Sequence, residues 1–289
     1  MVKFGSNLQV WTSHLSDETI KLFSQVKEMG FEGVEIPMAH AMRVDESLIE
    51  RARKELDRLG LKCTTSGGLG RADNLIDDDE EKRKRGMTML RKFVDISSGL
   101  GANTMVGPHY GTFGMADVGR ARTQEEWNRA VILLREIADY AGDKGVNIGL
   151  ECLNRYETYF LNIAEDAVKL VQEIGKDNIG VHLDTYHMNI DEKNFYNPIK
   201  ITGCHLFLLH CSENDRGIPG TGHVNWDEVF QALKDIDYHG WLVIESFFEP
   251  MEDIPVATSV WRQIAPSREA IMSEGITFLK EKAKEYGLY

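Results

Sequence analysis

Four residues in the second half of this chain each close a short apolar run: Glu151, Asp184, His210 and Glu245. The runs are Asn147-Ile148-Gly149-Leu150-Glu151, Ile179-Gly180-Val181-His182-Leu183-Asp184, His205-Leu206-Phe207-Leu208-Leu209-His210 and Trp241-Leu242-Val243-Ile244-Glu245. Any one of them alone is as easily a surface residue where a strand meets a loop. Four in succession point to a shared centre. Three carboxylates gathered without a cation repel, and at least one must stay protonated. A divalent cation removes that conflict. Three oxygen donors with one nitrogen suit one Mn²⁺ per subunit, with Co²⁺ or Mg²⁺ as alternatives, and the absence of cysteine ligands argues against structural zinc.

These residues need a scaffold that aims them at one point. Short runs rich in branched residues alternate with longer amphipathic segments along the chain. The expected strands are Lys3–Val10, Gly33–Pro37, Lys62–Ser66, Thr104–Gly107, Asn147–Glu151, Ile179–Asp184, His205–His210 and Trp241–Glu245. Helices are expected over Asp17–Met29 with Ser16 as cap, Glu46–Leu59, Asp79–Leu100, from Thr123 to about Lys144, Ile163–Ile174, Trp226–Ile236 and Ser267–Tyr286, with a short one near Asn197–Thr202. Thr123-Gln124-Glu125-Glu126 has capping-box spacing. Gly30, Gly60, Gly101, Gly145 and Gly175 stand where helices would end before the next strand. Eight such units predict an α/β fold, a (β/α)₈ TIM barrel built as a single domain over residues 1–289, with the site at the C-terminal strand ends. A doubly wound sheet would want a glycine-rich loop after the first strand. The Gly67-Gly68-Leu69-Gly70 cluster follows the third instead.

The bulk composition excludes several classes. Of 289 residues, 42% are hydrophobic and 27% charged, enough for a full core, and the net charge of -13 disfavours nucleic acid as a partner. The densest basic run, Lys82 to Arg85, follows an acidic one and reads as a mixed-charge helix face. Cys63, Cys152, Cys204 and Cys211 form no CxxC pair and read as reduced thiols. No run approaches the ~20 apolar residues of a membrane span, and residues 1–11 hold no signal-peptide stretch. A cytoplasmic protein with no membrane partner is expected.

The strings around the four residues resemble those of the ketose 3-epimerases of the D-tagatose/D-psicose type, within the xylose isomerase-like TIM barrels. Glu151-Cys152-Leu153-Asn154-Arg155-Tyr156-Glu157 is similar to their fifth-strand motif, and His182-Leu183-Asp184-Thr185-Tyr186-His187-Met188-Asn189 to the sixth. The stretch from Ser212 to Gly222 resembles the loop after the seventh, and Val260-Trp261-Arg262 another recurring string. The likeness covers the whole chain and is most specific in its second half. It implies Glu151, Asp184, His210 and Glu245 as metal ligands, Glu151 and Glu245 as the acid/base pair, and Glu157, His187 and Arg216 as holders of the oxygens around C1 to C3 of a small-molecule ketose. It also implies a homodimer or homotetramer. The segment Gly107-Pro108-His109-Tyr110-Gly111-Thr112-Phe113-Gly114 departs from the family, which often has tryptophan there; the departure bears on the choice of sugar, not on the reaction.

Inverting C3 of a ketose removes the proton next to the C2 carbonyl and returns it on the other face through a cis-enediolate. That chemistry wants charge stabilisation at O2 and a base on each face, a contribution of about 10²–10⁴-fold. Arg216 offers a fork for an oxygen and His187 a donor; a loop ion pair for Arg216 and a helix N-terminal cap for His187 are the less favoured alternatives. Trp11, Ser66, Gly107 and Phe113 are expected pocket walls, and Glu35 ends the second strand as the ligand candidates end theirs. His182 shares the inward face one layer below Asp184, and His205 reads as structural. Aldose–ketose isomerisation or dehydration of a polyol ketone would use the same barrel. An abasic-site endonuclease would need more histidine and a basic face, and a silent sugar-binding barrel would need no acid/base pair.

Overall fold

The computed structural model describes residues 1–112, 114, 118–249 and 260–289. Eight parallel strands close into a barrel in chain order, β1 pairing with β8. They are β1 (Lys3–Asn7), β2 (Gly33–Pro37), β3 (Lys62–Ser66), β4 (Thr104–Gly107), β5 (Asn147–Glu151), β6 (Ile179–Asp184), β7 (Leu206–His210) and β8 (Trp241–Ile244). The helices around them are α1 (Asp17–Glu28), α2 (Glu46–Leu59), α3 (Glu80–Leu100), α4 (Gln124–Gly142), α5 (Ala164–Ile174), α6 (Thr185–Asp191), α7 (Tyr196–Thr202), α8 (Trp226–Asp235) and α9 (Arg268–Glu285). The (β/α)₈ expectation therefore holds.

Local chemistry sets the boundaries. Ser16, Asp45, Asp79, Thr123, Asn225 and Ser267 each accept a backbone N–H at a helix start, and Thr123 with Glu126 forms the reciprocal pair expected from its spacing. The five helix-end glycines all have positive φ, from 64° to 90°, the conformation that releases a helix into a tight loop. The Lys82–Arg85 stretch is paired as a mixed-charge face, Lys82 with Asp77 and Lys84 with Glu80 and Glu81. All four cysteines are free, and three are buried.

Three local readings change. β1 stops at Asn7, whose side chain accepts from Gln9 N and starts a 3₁₀ turn over Leu8–Val10; the turn breaks the strand's alternation, and Trp11 leaves the inward row. Two helices rather than one follow β6. The unforeseen α6 starts directly on Asp184, which caps Tyr186 N. His205 lies in a 3₁₀ turn before β7 and is half-buried.

The barrel floor is plugged. Val106, Leu208, Trp241 and Val243 form a buried cluster of their own. The Trp241 indole lies where a Cβ on Gly33 would stand, 2.6 Å away, and the Phe207 ring does the same over Gly180. Phe207 is the extra residue where the β6–β7 register shifts, a bulge that turns its ring onto that glycine. Among the described residues, no helix is long and apolar enough to cross a membrane.

Candidate active site

Inward-facing positions on successive strands bring the strand-end residues to one point. Asp184 pairs with His210, and His210 with Val243, two residues before Glu245. One ligand atom each from Glu151, Asp184, His210 and Glu245 lies within 4.8 Å of the others, and all four residues are buried. The expected convergence is thus present in the fold.

A buried network holds these groups. His210 Nε2 lies 2.7 Å from Glu35 Oε1, so this nitrogen donates to the carboxylate. Glu35 in turn accepts from Asn7 Nδ2 at 2.9 Å and Thr64 Oγ1 at 3.0 Å. Asn7 also donates to Glu245 Oε1 at 3.1 Å. The other His210 nitrogen, Nδ1, is buried and makes no hydrogen bond, with Asp184 Oδ2 3.9 Å and Glu245 Oε2 3.3 Å away. An imidazole fixed at one nitrogen, with the other beside the Asp184 and Glu245 carboxylates and Glu151 in the same cluster, is a ligand set that a divalent cation fits. The sequence pattern alone singles out Glu151, Asp184, His210 and Glu245, which the fold clusters. Asn7 and Thr64 were missed; their signal was the register, since Asn7, Glu35 and Thr64 are direct neighbours across β1, β2 and β3.

Arg216 reaches in from the loop after β7. Its Nη1 donates to Asp184 Oδ2 at 2.5 Å, Glu245 Oε2 at 2.8 Å and Ser212 Oγ at 3.0 Å. The guanidinium stacks 4.0 Å from the centroid of the Tyr186 ring. Its backbone has φ 65°, an uncommon left-handed conformation for a bulky residue and a kind of strain that gathers at working sites. His187 Nε2 lies 3.5 Å from Glu151 Oε1. The opposite nitrogen faces Asn154 N at 3.2 Å and Asn154 Nδ2 at 2.9 Å, so Nδ1 accepts and Nε2 carries the proton. Asn154 also donates to Glu157 at 2.8 Å. His187 is buried inside α6, whose cap is Asp184, so the capping alternative does not describe it. Arg216 does make ion pairs, but to the centre itself.

The electrostatics separate the two glutamates. Burial raises the Glu151 carboxyl above the usual carboxylate range, and His187 pulls back only part of the rise. Burial acts likewise on Glu245, but His210 and Arg216 outweigh it and hold that carboxyl well below the range. Burial, with His210 adding to it, pushes His182 well below the usual imidazole range, so it is neutral.

These groups floor a cavity of about 150 Å³. Glu151, Glu157, His187, His210, Arg216 and Glu245 line it, with Ser66 and Gly107 among the walls as expected. Met38, Leu153, Pro108 and Phe247 add apolar surface, and Gln9 lines it where Trp11 was expected. Trp11 packs half-buried against the core. Gly107 has to be glycine: φ is 138°, and a Cβ would stand 2.1 Å from Gly67 O. Phe113 lies outside the described residues. Among the described lining residues, Arg216 is the sole lysine or arginine.

This geometry can be set beside known proteins. The sequence model described as xylose isomerase-like TIM barrel matches residues 23–282. The chain belongs to that family. Within it, this TIM barrel is 34% identical over 284 residues to the ketose 3-epimerase of Arthrobacter globiformis, covering 97% of this chain and 96% of the relative. It is 34% identical to the D-psicose 3-epimerase of Enterocloster bolteae, over 93% of this chain and 91% of that one. The solved D-allulose 3-epimerase of Methylomonas sp., in complex with D-allulose, superposes with a TM-score of 0.91 at 30% identity, covering 97% of each chain. The family's ketose 3-epimerase branch is therefore where this barrel sits, and it is an enzyme of the isomerase class.

Proposed function

We propose that the protein inverts C3 of free ketoses such as D-tagatose, D-fructose, D-psicose or L-ribulose. The observation that carries this reading is geometric: two buried glutamates lining one cavity, Glu151 and Glu245, each bring a carboxylate oxygen within 4.8 Å of the ligand-forming atoms of Asp184 and His210. Two bases around one carbon are what inversion requires, and in this reading both are also metal ligands with Asp184 and His210. When bound, a divalent ion, Mn²⁺ by preference, supplies positive charge against the negative charge that develops on the ketose oxygen. Glu245 removes the C3 proton on one face, giving a cis-enediolate. Glu151 returns a proton on the other, and the roles reverse for the opposite sugar. Arg216, His187 and Glu157 orient the oxygens around C1 to C3. Ser66, whose Oγ is buried without a partner, and Gly107 wall the cavity that would hold the sugar. A cavity whose described lining offers no cation besides Arg216 favours free sugars over phosphorylated ones. We include a single functional domain, assembly as a homodimer or homotetramer and a cytoplasmic setting in this reading; light scattering reads the assembly.

The test is incubation of Mn²⁺-loaded protein with each ketose, followed by sugar analysis. The expected product is the C3 epimer. Formation of an aldose alone, or of a dehydrated sugar, overturns the reading in favour of the isomerase or dehydratase alternatives.

A further inference from the structure

His182 has no part in the reaction above, and its surroundings do not explain it as packing. It lies two residues before Asp184 on β6 and opposite Glu151 in the β5–β6 register. Its side chain is fully buried, and neither ring nitrogen has a hydrogen-bond partner. A core histidine is ordinarily satisfied by a backbone or side-chain group. Here the neighbours are ligand-forming atoms instead. His182 Nδ1 is 3.8 Å from Glu151 Oε2, and the His182 and His210 rings stand edge to face with centroids 4.1 Å apart. Gly149 makes the room, since a Cβ there would sit 3.3 Å from His182 Cβ and 3.0 Å from Val106. One atom each from Glu151, His182 and His210 lies within 4.8 Å of the others, as a second set beside the four-residue one.

We infer that the centre seats divalent ions in two alternative settings. Hard ions such as Mn²⁺ take the three carboxylates and His210, while zinc takes Glu151, His182 and His210, one layer deeper in the barrel. The donor chemistry divides them. Oxygen-rich sets suit Mn²⁺ and Mg²⁺, and imidazole suits Zn²⁺, Ni²⁺ and Cu²⁺. Zn–N and Zn–O bonds of about 2.0–2.1 Å in a tetrahedral set leave neighbouring ligand atoms roughly 3.3–3.4 Å apart, so the 3.8 Å gap closes by a few tenths of an ångström. Both sets use Glu151 and His210, so the settings exclude each other.

The inference rests on Glu151 and His210 being ligands, as in the proposed function, and the experiment separates the two. X-ray absorption at the zinc edge of the zinc-loaded wild-type protein counts imidazoles without any variant; two are expected. Calorimetric titration of Zn²⁺ and Mn²⁺ into wild type and His182→Leu is the second arm. Zinc affinity is expected to fall at least tenfold in the variant, and manganese affinity to change less than threefold. A single imidazole at the zinc edge, or equal losses for both metals, overturns the two-setting inference while leaving the manganese centre standing. Failure of the wild-type protein to bind either metal overturns both.

Discussion

At the scale of single residues, the centre combines side chains that touch the reacting atoms in the proposed reaction with others that only hold them. Glu151→Gln and Glu245→Gln should each lower the rate of C3 inversion by about 10²–10⁴-fold, read as D-fructose to D-psicose conversion at saturating Mn²⁺. A change below tenfold would mean the glutamate is not an acid/base group. Glu35 does a different job, because its carboxylate fixes which His210 nitrogen faces the centre. Replacing the partner of a ligating histidine typically costs about 10–100-fold in metal affinity. Glu35→Ala should show that loss in a Mn²⁺ titration, with unchanged binding sinking the assignment. The ligand candidates were legible because each closes an apolar run, a pattern one strand reveals by itself. Asn7 and Thr64 were not, since their importance arises from lying beside Glu35 across strands that are distant in sequence. Trp11 misled for a related reason: a 3₁₀ turn of three residues is enough to swap which side chain enters the cavity.

At the scale of elements, the start of α4 is a small electrostatic unit with a clear pH signature. Glu126 accepts from the Thr123 backbone N–H at 2.7 Å, from Tyr159 Oη at 2.7 Å and from Arg120. Burial pushes its carboxyl up, but the Arg120, Thr123 and Tyr159 hydrogen bonds more than reverse this and bring it down to about 2 from the ordinary 4.5. Its folded value is depressed, so its contribution is complete above pH 4.5 and is lost as pH falls toward 2. Arg120 is half-exposed, and its share is screened. Glu126→Gln should therefore cost about 1–2 kcal/mol near neutrality, and denaturant melts of the two proteins should converge as the pH drops below 4.5. A gap that persists at pH 2 would show that shape, not charge, is responsible. Elements of this kind announce themselves in sequence because caps and periodicity are local. The paired helices after β6 were harder to foresee: α6 is short, and its cap is Asp184, a residue that also reads as a metal ligand.

At the scale of the whole molecule, the ligand cluster draws its side chains from the ends of β5, β6, β7 and β8, so cation binding should be felt globally. An ion held at about 100 times its dissociation constant stabilises the fold by about 2.7 kcal/mol, which for a chain of this size corresponds to a rise of roughly 5 °C in melting temperature. Thermal melts with and without EDTA check this; coincident curves would mean the cluster binds no ion in solution. The fold class itself was readable from end to end because eight repeats of one pattern are hard to mistake. What could not be read was how the barrel's interior is filled, since that depends on Phe207 finding Gly180 on the adjacent strand and Trp241 reaching past β1 to Gly33 on β2.

That filled floor has a consequence for traffic. With the lower end stoppered by aromatic rings, a sugar must back out through the doorway by which it arrived. Accumulating product and fresh substrate then contend for one threshold, and in progress curves each epimer should behave as a competitive inhibitor of the other's conversion.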